Sequence, residues 1–325
     1  MTVRAVRGLT SLSGKDPVGY VRHALHRDGR SYLESNCYSD IIIELLHACG
    51  YEPMAAFGHL VRMDFEGDQW TFFKPPPEDL ERLFGIDIHE MQPYRPLPAQ
   101  MAEQVQRGRT IIVELDSWYL PDTETTSYRA EHVKTSVAAD AIDPERETLR
   151  YFHGPGLFEL FGEDYRGVFR LEPGFSDDVL PPYAELARFD SGSALRDGEL
   201  RDAAVDLLGG HLAKRPADNP FERFGTALER ELPALLERGL EDYHAYAFAT
   251  VRMAGSAFEI LGSHAQWLFD EPARPVIDAT AEIVDGCKAM SFRLARRRQF
   301  DPGPLIESMA GAWDRSMATL AELSS

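Results

Sequence analysis

Cysteine is scarce in this sequence, and long apolar runs are missing. Only three cysteines, Cys37, Cys49 and Cys287, occur among 325 residues. An odd number without close pairs excludes a disulfide framework and a four-cysteine zinc site. No run of about 18 apolar residues occurs, and the first twenty residues lack the apolar core of a signal peptide. We therefore expect a soluble, reduced, cytoplasmic protein that does not bind membranes.

Positive charge is also in short supply. The 34 Lys and Arg residues face 53 Asp and Glu residues, which leaves a formal net charge of −19. Such a protein repels phosphate backbones, so nucleic acid is not expected as a partner. Two segments run against the trend: residues 1–30 hold six basic residues against two acidic ones, and residues 293–298 hold four arginines. Each is either a solvated face or a docking patch for an acidic partner.

Common catalytic and cofactor motifs are missing as well. No glycine-rich phosphate loop occurs, and the Gly154-Pro155-Gly156 turn lacks the third glycine of a dinucleotide-binding fingerprint. H-E-x-x-H and G-x-S-x-G do not occur either, and the ten histidines are scattered. We therefore expect neither a metal site nor a cofactor that belongs to this chain.

What the first half does contain is a mixture of helical and strand patterns. Apolar residues at helical spacing predict a helix over residues 37–49, closed by Gly50. A continuous β-branched run predicts a buried strand over 110–115. Residues 132–142 and 148–153, joined by a polar turn, predict a β-hairpin. These elements indicate an α+β domain over residues 1–180.

The second half has a different pattern. Two consecutive prolines at 181 and 182 precede long, helically periodic segments with almost no strand signal. This pattern predicts an all-α helical bundle over residues 181–325. The helical segments are 195–212, 220–269, 275–298 and 302–323.

Cys37 is placed where a catalytic cysteine is expected. It begins the predicted apolar helix, and the free N–H groups and positive dipole end of a helix stabilise a thiolate. A thiolate is the nucleophilic form of cysteine. The alternative is that Cys37 is a small buried apolar residue, as free cysteines often are. Cys49 and Cys287 are expected to be structural.

A cysteine nucleophile needs a base, and His132 is the candidate. It opens the first strand of the predicted hairpin, from which an imidazole can reach a helix N-terminus. The alternative is a solvent-facing histidine at the end of a strand. His153 ends the second strand and is expected close to His132. There it orients the first imidazole, contacts substrate or plays no part.

Two stretches carry a resemblance to known proteins. Residues 35–53, with Cys37 before an apolar helix and Gly50-Tyr51-Glu52 after it, resemble the nucleophile helix of papain-like cysteine proteins. Residues 107–116, then Trp118-Tyr119-Leu120-Pro121 and a hairpin headed by His132, resemble the N-terminal domain of the butirosin biosynthesis protein H family. That family consists of carrier-protein-dependent acyltransferases, and it is similar to the double-glycine leader peptidases.

The resemblance covers about residues 30–165, and the whole chain resembles a bacterial family that shares this acyltransferase-like domain. Some members of that family are linked with aminoacyl-carrier-protein ligases. The resemblance implies a papain-like fold for the first domain, with Cys37 as nucleophile and His132 as general base.

The resemblance leaves the remaining site residues open. Papain-like sites place Asp or Asn just after the histidine strand, and His153 occupies that position here. Asp116 and Asp140 are the alternatives for orienting the base. The usual oxyanion glutamine before the cysteine is missing, so Asn36 or the Cys37 backbone N–H would serve instead.

The function implied by the resemblance is acyl or aminoacyl transfer. Its donor would be a thioester on the phosphopantetheine arm of an acyl or aminoacyl carrier protein, for which the two basic segments would be docking patches. Two alternatives stay open: a papain-like hydrolase (peptidase, amidase or thioesterase), and an inactive scaffold that binds the carrier protein. The sequence predicts neither the acyl group, the acceptor nor the oligomeric state.

Overall fold

The chain forms two compact units, each assembled from separate stretches of sequence. The computed structural model describes residues 9–172 and 179–325. Unit 1 consists of Met1–Arg27, Cys37–Pro53 and Leu80–Ala194. Unit 2 consists of Asp28–Asn36, Met54–Asp79 and Leu195–Ser325.

Unit 1 is built on one antiparallel sheet of six strands, whose order is β1-β6-β2-β3-β4-β5. The last strand in sequence, β6, follows the predicted boundary at residue 181 but pairs with β1 and β2, and therefore belongs to unit 1. Together with the helices of this unit, the sheet confirms the predicted α+β class. The strands are β1 (Ile86–Glu90), β2 (Arg109–Asp116), β3 (Lys134–Asp143), β4 (Thr148–His153), β5 (Gly156–Phe161) and β6 (Ala184–Phe189).

The helix predicted over residues 37–49 is confirmed as α1 (Cys37–Ala48). Its apolar run is buried, from Ile41 to Leu46. Gly50 ends the helix with a φ of 78°, and the next N–H, that of Tyr51, bonds to the Leu46 carbonyl at 2.9 Å. This is a glycine cap, which an L side chain at residue 50 would strain.

Helices cover both faces of the sheet. Three further helices precede residue 190: α2 (Pro77–Phe84), whose residues are divided between the units, α3 (Leu97–Gln106) and α4 (Glu163–Val168). Met101 of α3 packs in the core cluster that contains Val137 of β3. Cys37 of α1 instead contacts Ser136, the neighbour of Val137. Because adjacent residues of a strand point to opposite faces, α1 and α3 lie on opposite sides of the sheet.

The predicted hairpin is confirmed as β3 and β4. Asp143 pairs with Thr148 next to the turn, and Ala138 pairs with Phe152 near the other end. The register shifts between Ala139 and Ala141, which marks a β-bulge. The bulge decides which side chains of β4 share a face with those of β3.

Unit 2 contains six helices after residue 195. An aromatic cluster lies in its core, where Trp70 and Phe221 have ring centroids 4.7 Å apart and Phe258 packs on Phe221. None of the helices described here is long and apolar enough to cross a membrane. The six are α5 (Asp197–Leu212), α6 (Pro220–Glu237), α7 (Leu240–Ala247), α8 (Met253–Phe269), α9 (Arg274–Ala295) and α10 (Gly303–Leu323).

Candidate functional site

Cys37 is the first residue of α1, as the sequence predicts, and it is half-buried. Its thiol donates to the Oγ of Ser136 on β3, with 3.6 Å between sulfur and oxygen. A helix start supplies free N–H groups and a positive dipole end beside this sulfur. The thiol therefore faces the sheet from the start of α1.

His132 lies two residues before β3 and is held by two groups. Its Nδ1 is 2.7 Å from Oδ2 of Asp116, the last residue of β2. Its ring stacks on Trp118, with centroids 4.5 Å apart and 10° between the planes. When Nδ1 donates to the carboxylate, Nε2 is left as the basic nitrogen. Asp116, one of the two alternatives left open by the sequence, thus orients this imidazole.

The sheet positions between these two side chains are polar. Ser136 pairs with Glu114 across β2 and β3, and Lys134 pairs with Asp116 in the next row. Paired residues point to the same face, so all four side chains lie on the α1 side of the sheet. Lys134 Nζ forms an ion pair with Glu114 Oε1 at 2.7 Å.

Cys37 and His132 therefore share one face of the sheet, but they do not touch in this structure. The thiol is bonded to Ser136, whereas the imidazole is bonded to Asp116 one row away. Two residues along a strand span about 7 Å, so a proton transfer between them requires one side chain to move.

A buried carboxylate beside this face was not anticipated from the sequence. Glu185 of β6 is 9% exposed. It accepts hydrogen bonds from the hydroxyl of Tyr38 at 2.7 Å and from that of Tyr183 at 2.9 Å. Tyr38 directly follows Cys37, so this network fixes the first turn of α1 against β6. A buried carboxylate of β6 leaves no separate sequence signal.

His153 occupies the opposite face of the sheet. Its Nδ1 is 2.5 Å from Asp122 Oδ2, and its Nε2 is 2.8 Å from the hydroxyl of Thr135. Tyr151 also donates to Asp122, at 2.5 Å. This buried chain ties β3 and β4 to the turn before them. The expectation that His153 lies beside His132 and orients it is therefore corrected: the partner of that imidazole is Asp116.

Asp140 also has other partners. It is fully buried and accepts hydrogen bonds from Ser11 Oγ at 2.7 Å and from the backbone N–H of Ser13 at 2.9 Å. Arg150 lies 4.0 Å away. Asp140 thus anchors the N-terminal segment and does not orient His132.

Asn36 immediately precedes Cys37 but belongs to unit 2, where its buried amide donates to the Phe73 carbonyl at 3.1 Å. The amide thus has a structural partner. Its role as an oxyanion donor stays a prediction.

The other two cysteines differ from Cys37 in their surroundings. Burial raises the pKa of the Cys49 thiol to about 12, with Asp140 adding to the effect. Burial alone raises the pKa of the Cys287 thiol to about 12. A thiol with so high a pKa is a poor nucleophile at neutral pH, so both cysteines fit the structural role expected of them.

A buried histidine clamp holds the N-terminal segment to α1. His26 Nδ1 is 2.5 Å from Glu44, and its Nε2 is 3.3 Å from Asp40. Burial alone would lower the pKa of His26, but the hydrogen bonds and charges of the two carboxylates outweigh it and raise that pKa to about 9. Sequence periodicity identifies Asp40 and Glu44 only as polar residues of an apolar helix.

Three buried histidines gather in unit 2. His59 Nδ1 donates to the Ala56 carbonyl at 3.0 Å, and His264 Nδ1 donates to the Met54 carbonyl at 2.7 Å. His211 Nε2 bonds to the carboxylate of Asp79 at 2.7 Å. In each of the three rings, the other nitrogen is buried and has no hydrogen-bond partner. Within residues 9–172 and 179–325, no three His, Cys, Asp or Glu side chains are placed to hold one metal ion.

The basic segment at the N-terminus is only partly exposed. Arg30 is bonded inside unit 2, to Ser263 at 2.7 Å, and it lies near Glu259. Two of the arginines, Arg4 and Arg7, lie outside the described residues. The exposed basic side chains of this segment are Lys15, Arg22 and Arg27.

The arginines of residues 293–298 are exposed in unit 2. Arg297 donates to the carbonyls of Leu236 and Arg238, and Arg293 lies over the ring of Phe300. Two of the four, Arg296 and Arg298, leave the end of α9 for solvent.

Comparison with protein families assigns both halves of the chain. The DUF1839 N-terminal domain matches residues 21–189, and the DUF1839 C-terminal domain matches residues 197–322. A search of curated proteins found no match.

Proposed function

We propose that this chain, which belongs to the DUF1839 family, transfers an acyl or aminoacyl group from a carrier-protein thioester to an acceptor. In this proposal unit 1 is a papain-like domain and the helices of unit 2 form a bundle. The observation that carries the proposal is the placement of Cys37, at the start of α1, on the same sheet face as the His132–Asp116 pair. A nucleophile, a base and a group that orients the base are the minimum set for acyl transfer.

In the first step, His132 Nε2 takes the proton of the Cys37 thiol, and the thiolate attacks the carbonyl carbon of the thioester. The new bond joins Cys37 sulfur to that carbon, and the bond to the phosphopantetheine sulfur breaks. The departing thiolate receives the proton from His132. Thioester exchange conserves the bond type, so modest activation of the thiol suffices. The carboxylate of Asp116 stabilises the imidazolium that forms in between.

In the second step, an acceptor amine attacks the acyl-Cys37 thioester. The amine gives a proton to His132 as its bond to the carbonyl carbon forms, and this proton returns to the Cys37 sulfur as the thioester bond breaks. The free enzyme is restored without a cofactor of its own, because the partner protein delivers the phosphopantetheine arm. In this proposal the acceptor amine takes the place that water takes in a hydrolase.

Docking of the donor rests on charge. Carrier proteins are acidic, and a chain with a net charge of −19 repels them except at basic patches. The exposed candidates are Lys15, Arg22 and Arg27 of unit 1 and the arginines of residues 293–298 of unit 2. Binding through such patches weakens as salt is raised.

One observation favours a second candidate, a carrier-binding scaffold without catalysis. The Cys37 thiol bonds to Ser136, and the Lys134–Glu114 ion pair occupies the same face as the thiol and the imidazole. A chain that keeps the fold of an enzyme, but whose thiol and imidazole cannot come into contact, would still bind the carrier protein.

Acylation of the full-length protein distinguishes these candidates. We expect wild type, incubated with an aminoacyl-carrier protein, to gain the mass of one aminoacyl group, and Cys37→Ala to gain none. Cys49→Ala is the matched control and should still be acylated, because Cys49 is a half-buried thiol whose pKa is raised to about 12.

Three results would contradict transfer. Wild type without any adduct, together with a carrier that keeps its acyl group, indicates a scaffold. An adduct that is released only as free acid, even with an amine present, indicates a hydrolase. Equal acylation of Cys37→Ala and wild type would exclude Cys37 as the nucleophile.

A further inference from the structure

A cavity of about 300 Å³ lies in unit 1 beside the His132–Asp116 pair. We propose that it binds the apolar part of the acyl group, so that the substrates are thioesters of acyl or aminoacyl groups whose side chain is uncharged, apolar and of medium size. This inference rests on the proposed function, because it assigns a substrate class to the same site. It adds a specificity pocket that neither the catalytic pair nor the family assignment supplies.

The walls of the cavity are apolar. Leu115 of β2 and Val168 of α4 are buried, and Leu97, Tyr119 and Phe169 are half-buried around them. Burying apolar surface against such walls is favourable in proportion to the area removed from water. Ligand pockets have this composition, with a few polar groups at one end.

One wall of the cavity is held in place by close packing. Gly167 of α4 lies directly against the ring of Tyr119, and a Cβ at residue 167 would come within 2.2 Å of that ring. Only glycine permits this approach without moving the ring. The position of Tyr119 is therefore fixed by the backbone of α4, which gives the pocket a preformed shape.

The charged groups at the cavity are already paired or solvated. Asp116 is bonded to His132, and Glu114 is bonded to Lys134. Arg170, at the rim, is exposed, so its guanidinium stays in water. A charged group seated against the apolar walls would lose its hydration with no charge beside it there, and this favours an uncharged side chain.

The size of the cavity limits how much of an acyl chain it can cover. Its volume of about 300 Å³ lies at the small end of ligand pockets. An acetyl group would leave most of this space unfilled, and the far end of a long fatty acyl chain would extend into solvent. Chains of intermediate length therefore bury the most apolar surface.

The cavity meets the candidate site at the end of β2, where His132 and Asp116 line it. Its apolar walls at Leu97 and Leu115 lie on the α3 side of the sheet, whereas Cys37 lies on the α1 side. An acyl chain seated in the cavity therefore has one end beside the proposed base and would reach the Cys37 sulfur around the end of β2.

Binding of acyl thioesters to full-length Cys37→Ala tests the pocket without turnover. The probes are S-acyl-N-acetylcysteamine thioesters, from acetyl through butanoyl and hexanoyl to octanoyl, measured by calorimetry. We expect affinity to rise roughly threefold to fourfold for each added methylene until the pocket is full, and then to level off.

Two further substitutions locate the binding. Leu97→Trp fills the cavity and should lower the affinity for hexanoyl at least about tenfold, with little change for acetyl. Leu186→Trp is the matched control, because Leu186 packs on the same core cluster as Leu97 but does not line the cavity. Phe169→Ala enlarges the cavity and should move the best chain length upward, which keeps the test valid if Leu97→Trp does not fold.

An affinity that is independent of chain length would overturn the proposal. So would a length dependence that is the same in Leu97→Trp and Leu186→Trp when both are folded by circular dichroism. If the length dependence holds and wild type is never acylated by a carrier protein, transfer is refuted and the binding pocket stands.

Discussion

Buried histidines should make unit 2 lose stability in acid, and His26 should make unit 1 lose stability in alkali. Burial lowers the pKa of His59 to about 3 and that of His264 to about 4, and both lie in the core of unit 2. In the unfolded chain a histidine titrates near 6.5. Below that pH the unfolded state takes up protons that the folded unit cannot accept, so the free energy of unfolding falls as pH falls.

The size of the acid effect follows from these values. At about pH 5, each of the two histidines lowers the free energy of unfolding of unit 2 by about 2 kcal/mol relative to pH 8. Together they lower it by about 4 kcal/mol. The loss continues until pH falls through the folded-state values of about 4 and 3. His264→Gln should remove about half of it at pH 5, because glutamine does not titrate.

His26 in unit 1 has the opposite sign. Its pKa of about 9 in the folded state lies above the unfolded value. The clamp to Asp40 and Glu44 therefore contributes its full stability, about 3 kcal/mol, below pH 6.5. That contribution is lost as pH rises from 6.5 through 9.

Hydrogen exchange measured by mass spectrometry reports the two units separately. After correction for intrinsic exchange rates, peptides of α8 should lose protection between pH 8 and pH 5. Peptides of α1 should lose it between about pH 7 and pH 10. If protection of α8 is the same at pH 5 and pH 8, the prediction that the buried histidines of unit 2 stay neutral is refuted. If protection of α1 is the same at pH 7 and pH 10, the alkaline loss assigned to His26 is refuted.

Two predictions concern the candidate site. Iodoacetamide at pH 8 should label Cys37 before Cys49 and Cys287. The thiols of Cys49 and Cys287 have a pKa of about 12, so only about one ten-thousandth of each is thiolate at that pH. Peptide mass spectrometry gives the order of labelling, and equal rates would contradict an accessible Cys37. Asp116→Asn should lower kcat/KM for acyl transfer at least about a hundredfold with little change in melting temperature. His153→Gln should lower the melting temperature and leave kcat/KM nearly unchanged. A kinetic defect as large as that of Asp116→Asn would show that Asp116 is not the group that orients His132.

The elements that the sequence predicts well are those whose signal is local. The apolar run of α1 and its glycine cap identify that helix within one residue of its end. The β-branched run of β2 and the two strands of the hairpin carry their own patterns in the same way. Each pattern spans fewer than about 20 residues, so no distant contact is needed to recognise it.

The strands that the sequence does not predict depend on distant partners. β1 and β6 are short and mix charged with apolar residues. They become strands because β1 pairs with β6 and β6 pairs with β2, across separations of about 75 to 100 residues. A short segment of mixed polarity acquires strand structure from such pairing more than from its own propensity.

The misplacement of His153 has a specific cause. Counting from the turn, where Asp143 pairs with Thr148, places His153 opposite Ala138, on the face that carries Ser136. The bulge after Ala139 shifts the pairing by one residue, so that Phe152 takes the place opposite Ala138. A shift of one residue turns every later side chain of a strand to the other face. No feature of the hairpin sequence predicts the bulge.

The same geometry explains why a carboxylate, rather than a second imidazole, serves His132. Asp116 ends β2 in the row next to Ser136, and its second oxygen accepts the Trp118 N–H at 3.1 Å, which fixes the turn on which the indole is presented. The Asp116 carboxylate thus holds the His132 imidazole directly and also positions Trp118, on which that imidazole stacks. A carboxylate stabilises an imidazolium better than a neutral imidazole does.

If Cys37 and His132 act together as proposed, the exposed imidazole is the group that can close the distance between them. The His132 side chain is 65% exposed, and its bond to Asp116 and its stack on Trp118 hold it. Rotation about the Asp116 bond would give up a stacking contact of about 1 kcal/mol and keep the hydrogen bond to Asp116. The Cys37 thiol would give up a weak sulfur contact to Ser136. In the proposed transfer, binding of the carrier-delivered acyl group would have to offset these two small losses to bring the thiol and the imidazole together.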